Sequence, residues 1–279
     1  MSTYLRPTKL DEALAALATN RLAVLAGGTD YYPARVGKPI NDDILDISGI
    51  AGLRGIRDEG DHWRIGATTA WSDLAEANLP PMFAGLKAAA RQVGGVQIQN
   101  AGTLAGNLCN ASPAADGVPP LLALDASVEI ADSKGNSSLA LADFILGNRK
   151  TALQPGQLLT AILVPKARRE TRSHFLKLGA REYLVVSIAM VAATLEVEAG
   201  CVRAARIAVG SCSPVAQRLP LAEAALAGKP CNAALGELLG AEHLAGLAPI
   251  DDVRASGEYR LEAALTLAKR AVNFLGAQA

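Results

Sequence analysis

The sequence predicts an α+β protein of two domains, on three observations. The chain has 279 residues, half of them hydrophobic, with a mean hydropathy of +0.21, enough apolar side chain for two cores. Short apolar runs alternate with helical periodicity over its first part. Beyond a charged stretch the pattern changes to strand-like runs followed by helices. The division expected is 1–168, with possible subdomains 1–55 and 56–168, and a smaller domain at 169–279.

The elements follow in order. "TKLDEALAAL", from Thr8, is a helix because Leu10, Leu14 and Leu17 share one side. "RLAVLAGGTD" is a short buried strand ending in a Gly-Gly turn, and "DDILDISGI" is a second strand. Together they predict a small β-α-β unit, since a parallel pair needs a crossover. In "LRGIRDEGDHWRIGATT" two strands flank Asp58 to Asp61 as a hairpin. "WSDLAEAN" and "PMFAGLKAAARQVG" are helices, the second stopping at Gly94-Gly95. "GVPPLLALDASVEIADSKGNSSLAL" runs from helix into strand with a Lys-Gly turn, and "QLLTAILVP" is a further strand. Past the polar linker "KARRETR" (Lys166 to Arg172) come three strands, the last two meeting at Ala199-Gly200. Three helices are expected after them. The last, from about Glu258 to Leu275, carries an apolar stripe of Leu261, Leu265, Ala268, Val272 and Leu275.

Charge and composition exclude several classes of function. Twenty-seven basic residues balance twenty-seven acidic ones, interspersed, so the basic face that nucleic acid needs is missing. No run of about 18 apolar residues marks a membrane span. "MSTYLRPTKLDEALAAL" carries charges where a secretory signal is apolar, so a cytoplasmic protein is expected. Cys109, Cys201, Cys212 and Cys231 have no ligand spacing and read as reduced thiols. His62, His174 and His243 stand apart, so no metal site is expected on this chain. No triad or carboxylate pair is evident, and no catalytic side chain is assigned.

Two glycine-bearing segments carry the functional signal. One is "LAGGTD", Leu25 to Asp30. The other is "NAGTLAGNLCNASPAAD", Asn100 to Asp116, small residues and turn formers almost throughout. Glycine lets the backbone take positive φ and approach another molecule closely. Successive N–H groups in such turns make an anion-binding nest. Two nests on different elements could grip a diphosphate without lysine clusters, helped by the Thr29 and Thr103 hydroxyls. Asn107, Asn110, Ser112 and Asp116 place polar groups among residues too small to screen them. Neither segment matches the G-x-G-x-x-G fingerprint or the phosphate loop of nucleotide hydrolases. On residue types alone a ligand-binding lining and an ordinary surface loop both remain open.

The order of motifs resembles a known family. "LAGGTD", then "QNAGTLAGNLCNASPAAD" and "PPLLALDA", with "LRGI…WRIGATTAWSDL" and "LGAREYLVVSIAMVAATLEV", is similar to the FAD-binding (medium) subunit of the xanthine dehydrogenase and carbon monoxide dehydrogenase family of molybdenum hydroxylases. The likeness spans almost the whole chain. It implies a p-cresol methylhydroxylase-type FAD-binding domain followed by a carbon monoxide dehydrogenase flavoprotein-like C-terminal domain. Carried over by position, Ala26, Gly27, Gly28, Thr29 and Asp30, with Leu25 before them, would touch the FAD diphosphate. Thr103, Leu104, Ala105, Gly106 and Asn107, with Gly102 before them, would form the other half of that grip. Asp116 would hydrogen-bond the ribityl or ring-proximal part of the flavin, and Lys177 would lie near the ring. The chain departs from the family at Ala105-Gly106, where Gly-Gly is frequent, and at Gln99, where Arg is frequent.

The resemblance also implies a division of labour. A large subunit would hold the molybdopterin cofactor and hydroxylate the substrate. A small subunit would hold two 2Fe-2S clusters. This chain would take electrons from a cluster through FAD and pass them to NAD+, a quinone, oxygen or another acceptor. "NLCNASPAAD" looks more like flavin subunits acting on purines or other N-heterocycles than like those acting on carbon monoxide. The alternatives are a carbon monoxide dehydrogenase-type medium subunit, a stand-alone FAD oxidoreductase on the same fold, and a scaffold protein with vestigial loops.

Overall fold

The computed structural model describes residues 2–167, 169–182 and 184–278. Its first unit contains β1 (Tyr4–Leu5), α1 (Leu10–Thr19), β2 (Ala23–Leu25) and β3 (Ile44–Asp46). The strands form a parallel sheet in the order β1-β3-β2. All of β3 is buried, because it is central and α1 covers it with Ala13, Leu14 and Leu17. The β1 strand, missing from the sequence reading, is two residues long and too short to show a period. It gives Asp46 a partner: the Tyr4 hydroxyl donates to that carboxylate at 2.6 Å and the Ser48 N–H at 2.9 Å. The crossover from β2 to β3 is a loop with a 3-10 turn at Pro33–Arg35, while α1 lies before β2.

The second unit holds β4 (Ile56–Asp58), β5 (His62–Gly66), α2 (Trp71–Glu76), α3 (Ala84–Arg91), α4 (Val96–Ala101), α5 (Leu104–Asn110), α6 (Val118–Ala123), β6 (Ser127–Asp132), β7 (Gly135–Ala140), α7 (Leu141–Phe144), β8 (Ile145–Gly147), β9 (Lys150–Thr151) and β10 (Leu158–Pro165). Five of the strands form an antiparallel sheet, β4-β5-β10-β6-β7. Trp71, Leu74, Phe83, Leu86, Leu104, Leu108 and Leu121 from the helices fill its core, each almost wholly buried. Burying one such side chain contributes about 1.5–3 kcal/mol. The expected hairpin around Asp58 to Asp61 is present as β4 and β5. The helix ending at Gly94 is present as α3, with Gly94 at φ +51° just beyond it.

The third unit has β11 (Thr171–Leu178), β12 (Ala189–Glu198), β13 (Cys201–Gly210), β14 (Gln217–Arg218), α8 (Pro220–Leu226) and α9 (Gly257–Gly276). Its antiparallel sheet runs β11-β12-β13-β14, and β12 and β13 turn at Ala199 and Gly200, both at positive φ. Between α8 and α9, where a further helix is expected, the chain makes two 3-10 turns, Leu235–Leu238 and Ala241–Leu244. Close approach explains the first: a methyl group on Gly236 would overlap the Lys269 carbonyl oxygen of α9. The buried face of α9 is built on Ala264, Leu267, Ala268, Ala271, Val272 and Leu275. It is rotated from the expected stripe, so Leu261 and Leu265 sit at its edge. The alanines are small enough to let the helix lie close on the sheet.

β12 joins the units. Ala189, Val191, Ala193 and Leu195 face α9, while Met190 and Ala192 belong to the core of the second unit. The Thr194 hydroxyl donates to the Ala123 carbonyl at 3.1 Å, and the Ser173 hydroxyl links Gly85 N–H (2.8 Å) to Met82 O (2.7 Å). Arg206 and Arg218 both pair with Asp125, which lies in the turn after α6.

Met190 is fully buried on the face of β12 turned toward the second unit. Met190→Ala should destabilise the whole chain by about 2–5 kcal/mol. Urea unfolding followed by circular dichroism should then show one transition at a lower midpoint; a separate early transition for either unit would contradict the shared core.

Candidate functional site

The two glycine-bearing segments meet. β2 delivers Ala26 to Asp30 to the edge of the small sheet, and Gly28 turns the chain at φ +71°. A methyl group on Gly27 would overlap the Ala101 carbonyl oxygen and stand 2.8 Å from Gly102 Cα. Only a bare backbone fits, so the Gly27 peptide lies directly on the Ala101-Gly102 peptide. Gly102 is fixed in turn: its N–H bonds Ile98 O at 2.7 Å and its carbonyl accepts from Trp71 N–H at 3.1 Å.

The second segment is more regular than a loop. Thr103 caps α5, its Oγ1 accepting from Gly106 N–H at 3.0 Å. Leu104 and Leu108, four apart, anchor the helix in the core, together with Ala105. Thr103, Ala105, Gly106, Asn107, Cys109 and Asn110 border open space on the other side. The segment is thus half core and half lining.

Between the segments lies a cavity of about 550 Å³. Leu25, Ala26, Gly27, Gly28, Thr29 and Asp30 wall one side, and Thr103, Ala105, Gly106 and Asn107 the other. Among the described residues the backbone N–H groups of Gly27, Gly28, Thr29 and Asp30 meet no acceptor. Such a row of free donors suits an anion, and phosphate oxygens best. Gly102 and Leu104 lie behind this wall, Gly102 in backbone contact with the first loop and Leu104 in the core.

Asp116 and Lys177 do not border the cavity; they pair with each other. Lys177 Nζ stands 2.8 Å from Asp116 Oδ1, and both side chains are buried. Ser187 Oγ donates to the same carboxylate oxygen at 3.4 Å, and Lys177 Nζ also donates to Gln92 O at 3.3 Å. Burial pushes the Asp116 carboxyl up, and the Lys177 charge opposes that shift. Asp116 does not cap α6. Instead Asn107 Oδ1 accepts from Gly117 N–H at 3.1 Å, tying α5 to the turn that carries Asp116.

Sequence reasoning missed three features of the site. Tyr31 and Arg35 line the cavity, the guanidinium 3.7 Å above the Tyr31 ring, and both bond Asp42, at 2.8 Å from the hydroxyl and 2.6 Å from Nη2. Those two donors hold the Asp42 carboxyl below its ordinary range. The available signal was the four-residue spacing of Tyr31 and Arg35. Arg149 sits at φ +58°, its N–H bonded to the carbonyl of Ala111, itself at φ +47°. Cys109 is exposed and lines the cavity as a free thiol.

A second cavity of about 530 Å³ lies between the units. Ser112 to Ala114 and Arg149 border it from one side, and Val186, Ser187, Ser211, Arg254 and Arg260 from the other. Arg149 borders both cavities. Among the described residues there is no group of three or more His, Cys, Asp or Glu placed to hold a metal ion. None of the described helices is long and apolar enough to cross a membrane.

A glycine-walled cavity with a row of free N–H donors suits a diphosphate-bearing cofactor. Comparison with known proteins identifies the family. A profile described as the FAD binding domain in molybdopterin dehydrogenase matches residues 1–167, and one described as the CO dehydrogenase flavoprotein C-terminal domain matches residues 174–275. The chain belongs to the FAD-binding subunits of the molybdopterin dehydrogenases, a family of oxidoreductases. It is 32% identical to the xanthine dehydrogenase FAD-binding subunit of Escherichia coli O157:H7, over 98% of this chain and 95% of that one. It is 28% identical to the nicotine 6-hydroxylase medium subunit of Paenarthrobacter nicotinovorans, over 99% and 97%. The reconstituted CO dehydrogenase from Oligotropha carboxidovorans superposes with a TM-score of 0.91 at 27% identity, covering 100% of this chain and 99% of that one. The cofactor is FAD, and the donors and bare backbone around the first cavity fit its diphosphate.

Gly27→Ala should break the contact between the two segments. The overlap with Ala101 should cost about 1–3 kcal/mol and lower the melting temperature. Gly52→Ala, where a side chain meets nothing within 4 Å, should stay within about 0.5 kcal/mol of the parent. Equal melting temperatures for the two variants would contradict the close approach.

Proposed function

We propose that this chain carries FAD in the first cavity and is the electron-transfer subunit of a molybdenum hydroxylase. The observation that carries the reading is the contact of Gly27 on Ala101-Gly102, which brings residues 27–30, whose N–H groups meet no acceptor among the described residues, to the wall of the cavity between the two segments. FAD supplies the redox chemistry when bound, and the protein binds, orients and tunes it. Ala26 to Asp30 and Thr103 to Asn107 hold the diphosphate. The Asp116–Lys177 pair lies near the ring-proximal end, where it sets the local charge. The partners are a large subunit with the molybdopterin cofactor and a small subunit with two 2Fe-2S clusters. The holoenzyme hydroxylates a purine or another N-heterocycle; relatives named for xanthine and nicotine are in keeping with this choice, beside a carbon monoxide dehydrogenase medium chain at 28% identity. An acceptor such as NAD+ takes the electrons from the flavin.

A stand-alone FAD oxidoreductase is the second reading. It would need its own base or a covalent flavin link. Cys109, within the second segment, is the exposed thiol at the cavity that such a link would use.

The purified full chain should take up FAD, turn yellow, and melt at a temperature that rises with FAD concentration. A colourless protein that ignores added FAD would sink the proposal. Bleaching by an N-heterocycle only when both partner subunits are added supports the electron-transfer subunit over the stand-alone enzyme.

The buried ion pair gives a second expectation. Lys177→Ala removes a positive charge and should lower the flavin midpoint potential, whereas Asp116→Asn leaves Lys177 uncompensated and should raise it. Spectroelectrochemistry measures both, and no shift in either variant would remove the pair from the flavin's surroundings.

A further inference from the structure

Arg260 is an arginine where physical chemistry disfavours one. It lies in the first turn of α9, at the positive end of the helix dipole, and its side chain is only 3% exposed. Burying a charge costs several kcal/mol before any partner is counted. Its partners are two backbone carbonyls and one carboxylate. Nη1 donates to Ile188 O at 2.6 Å and to Ser211 O at 3.1 Å, and Nη2 donates to Asp252 Oδ1 at 2.7 Å. Nε has no partner among the described residues.

Both carbonyls lead to the segment that holds Asp116. Ser211, at φ +64°, passes the link on through its N–H to Pro113 O at 3.0 Å. Ile188 follows Ser187, whose hydroxyl bonds Asp116, and its N–H bonds Leu178 O at 2.7 Å, next to Lys177. One guanidinium thus holds the ends of β12 and β13, and through them both members of the Asp116–Lys177 pair. A side chain needed only for packing would not be a charged group with an orphaned donor, since a well-packed apolar residue is often at least as stable there.

We propose that Arg260 is a positioning residue: from the C-terminal helix it fixes the geometry of the Asp116–Lys177 pair, and through that pair the redox environment of the flavin. The part concerning the flavin rests on the function proposed above; the part concerning the pair does not.

The experiment uses the full chain with Arg260→Lys, which keeps the charge but not the forked geometry. Hydrogen exchange without FAD should speed up roughly tenfold at residues 111–117 and 187–188, and stay unchanged in α3. With FAD bound, the midpoint potential should move in the direction seen for Lys177→Ala, and that movement should vanish when both substitutions are combined, although the loss of melting temperature persists. Faster exchange confined to residues 211–212 and 252–260, or a potential shift equally large without Lys177, would overturn the proposal. If Lys177→Ala alone leaves the potential unchanged while the exchange result holds, the flavin assignment fails and the positioning role stands. Should Arg260→Lys not fold, Asp252→Asn decides by the same exchange pattern against Arg254→Ala, since Asp252 is the ionic partner of both arginines and only Arg260 reaches the Ile188 and Ser211 carbonyls.

Discussion

The burial of β12 on both faces is the constraint on which the rest of the molecule depends. A strand covered on one side shows alternation; this one is closed from Ala189 to Leu195. One set of side chains packs under α9 and the other enters the core of the second unit. The C-terminal sheet is therefore held against the helices that carry the cofactor segments. Asp125 with its two arginines and Ser173 with its two backbone partners add directional contacts at the same boundary. Apolar area supplies the adhesion, and these polar contacts set the angle.

Within that frame the cofactor cradle is a matter of backbone proximity. Two peptides touch at Gly27, in the loop after β2, and at Gly102, at the end of α4, and the free N–H groups lie in that loop. Neutral donors suffice for a diphosphate when enough of them converge. This accounts for a chain of zero formal net charge that binds a phosphorylated cofactor. Among the charged groups, Asp116 and Lys177 pair away from the cavity, Arg35 lies along its wall paired with Asp42, and Arg149 borders it.

Much of this was legible in the sequence, and the gaps have physical causes. Strong periodicity revealed α1, α3, α9 and the long strands β11 to β13. The order of the glycine motifs revealed the family, although either motif alone is ambiguous. The two residues of β1 carry no period. α5 reads as a loop because Gly106, Asn107 and Asn110 are poor helix formers; Leu104 and Leu108 outweigh them by burial, which depends on a core assembled from distant segments. Where the third helix is expected the chain makes two 3-10 turns, with Gly236 lying against α9, a contact no local pattern encodes. The Lys177–Asp116 contact joins residues 61 positions apart, and no local pattern encodes it. Arg260 carries no local signal, because its carbonyl partners, Ile188 and Ser211, lie 72 and 49 positions away.

The two-sided strand has a consequence for how this polypeptide can be dissected. A fragment beginning after the linker would keep α9 on one side of its sheet and bare the other, where Phe175, Met190, Ala192 and Ala208 would meet water. The complementary N-terminal piece would lose the lid over Phe83 and Leu121. Family resemblance draws two modules along this sequence, but they share one apolar boundary, so a genetic fusion, split or swap at the linker should carry the matching surface with it.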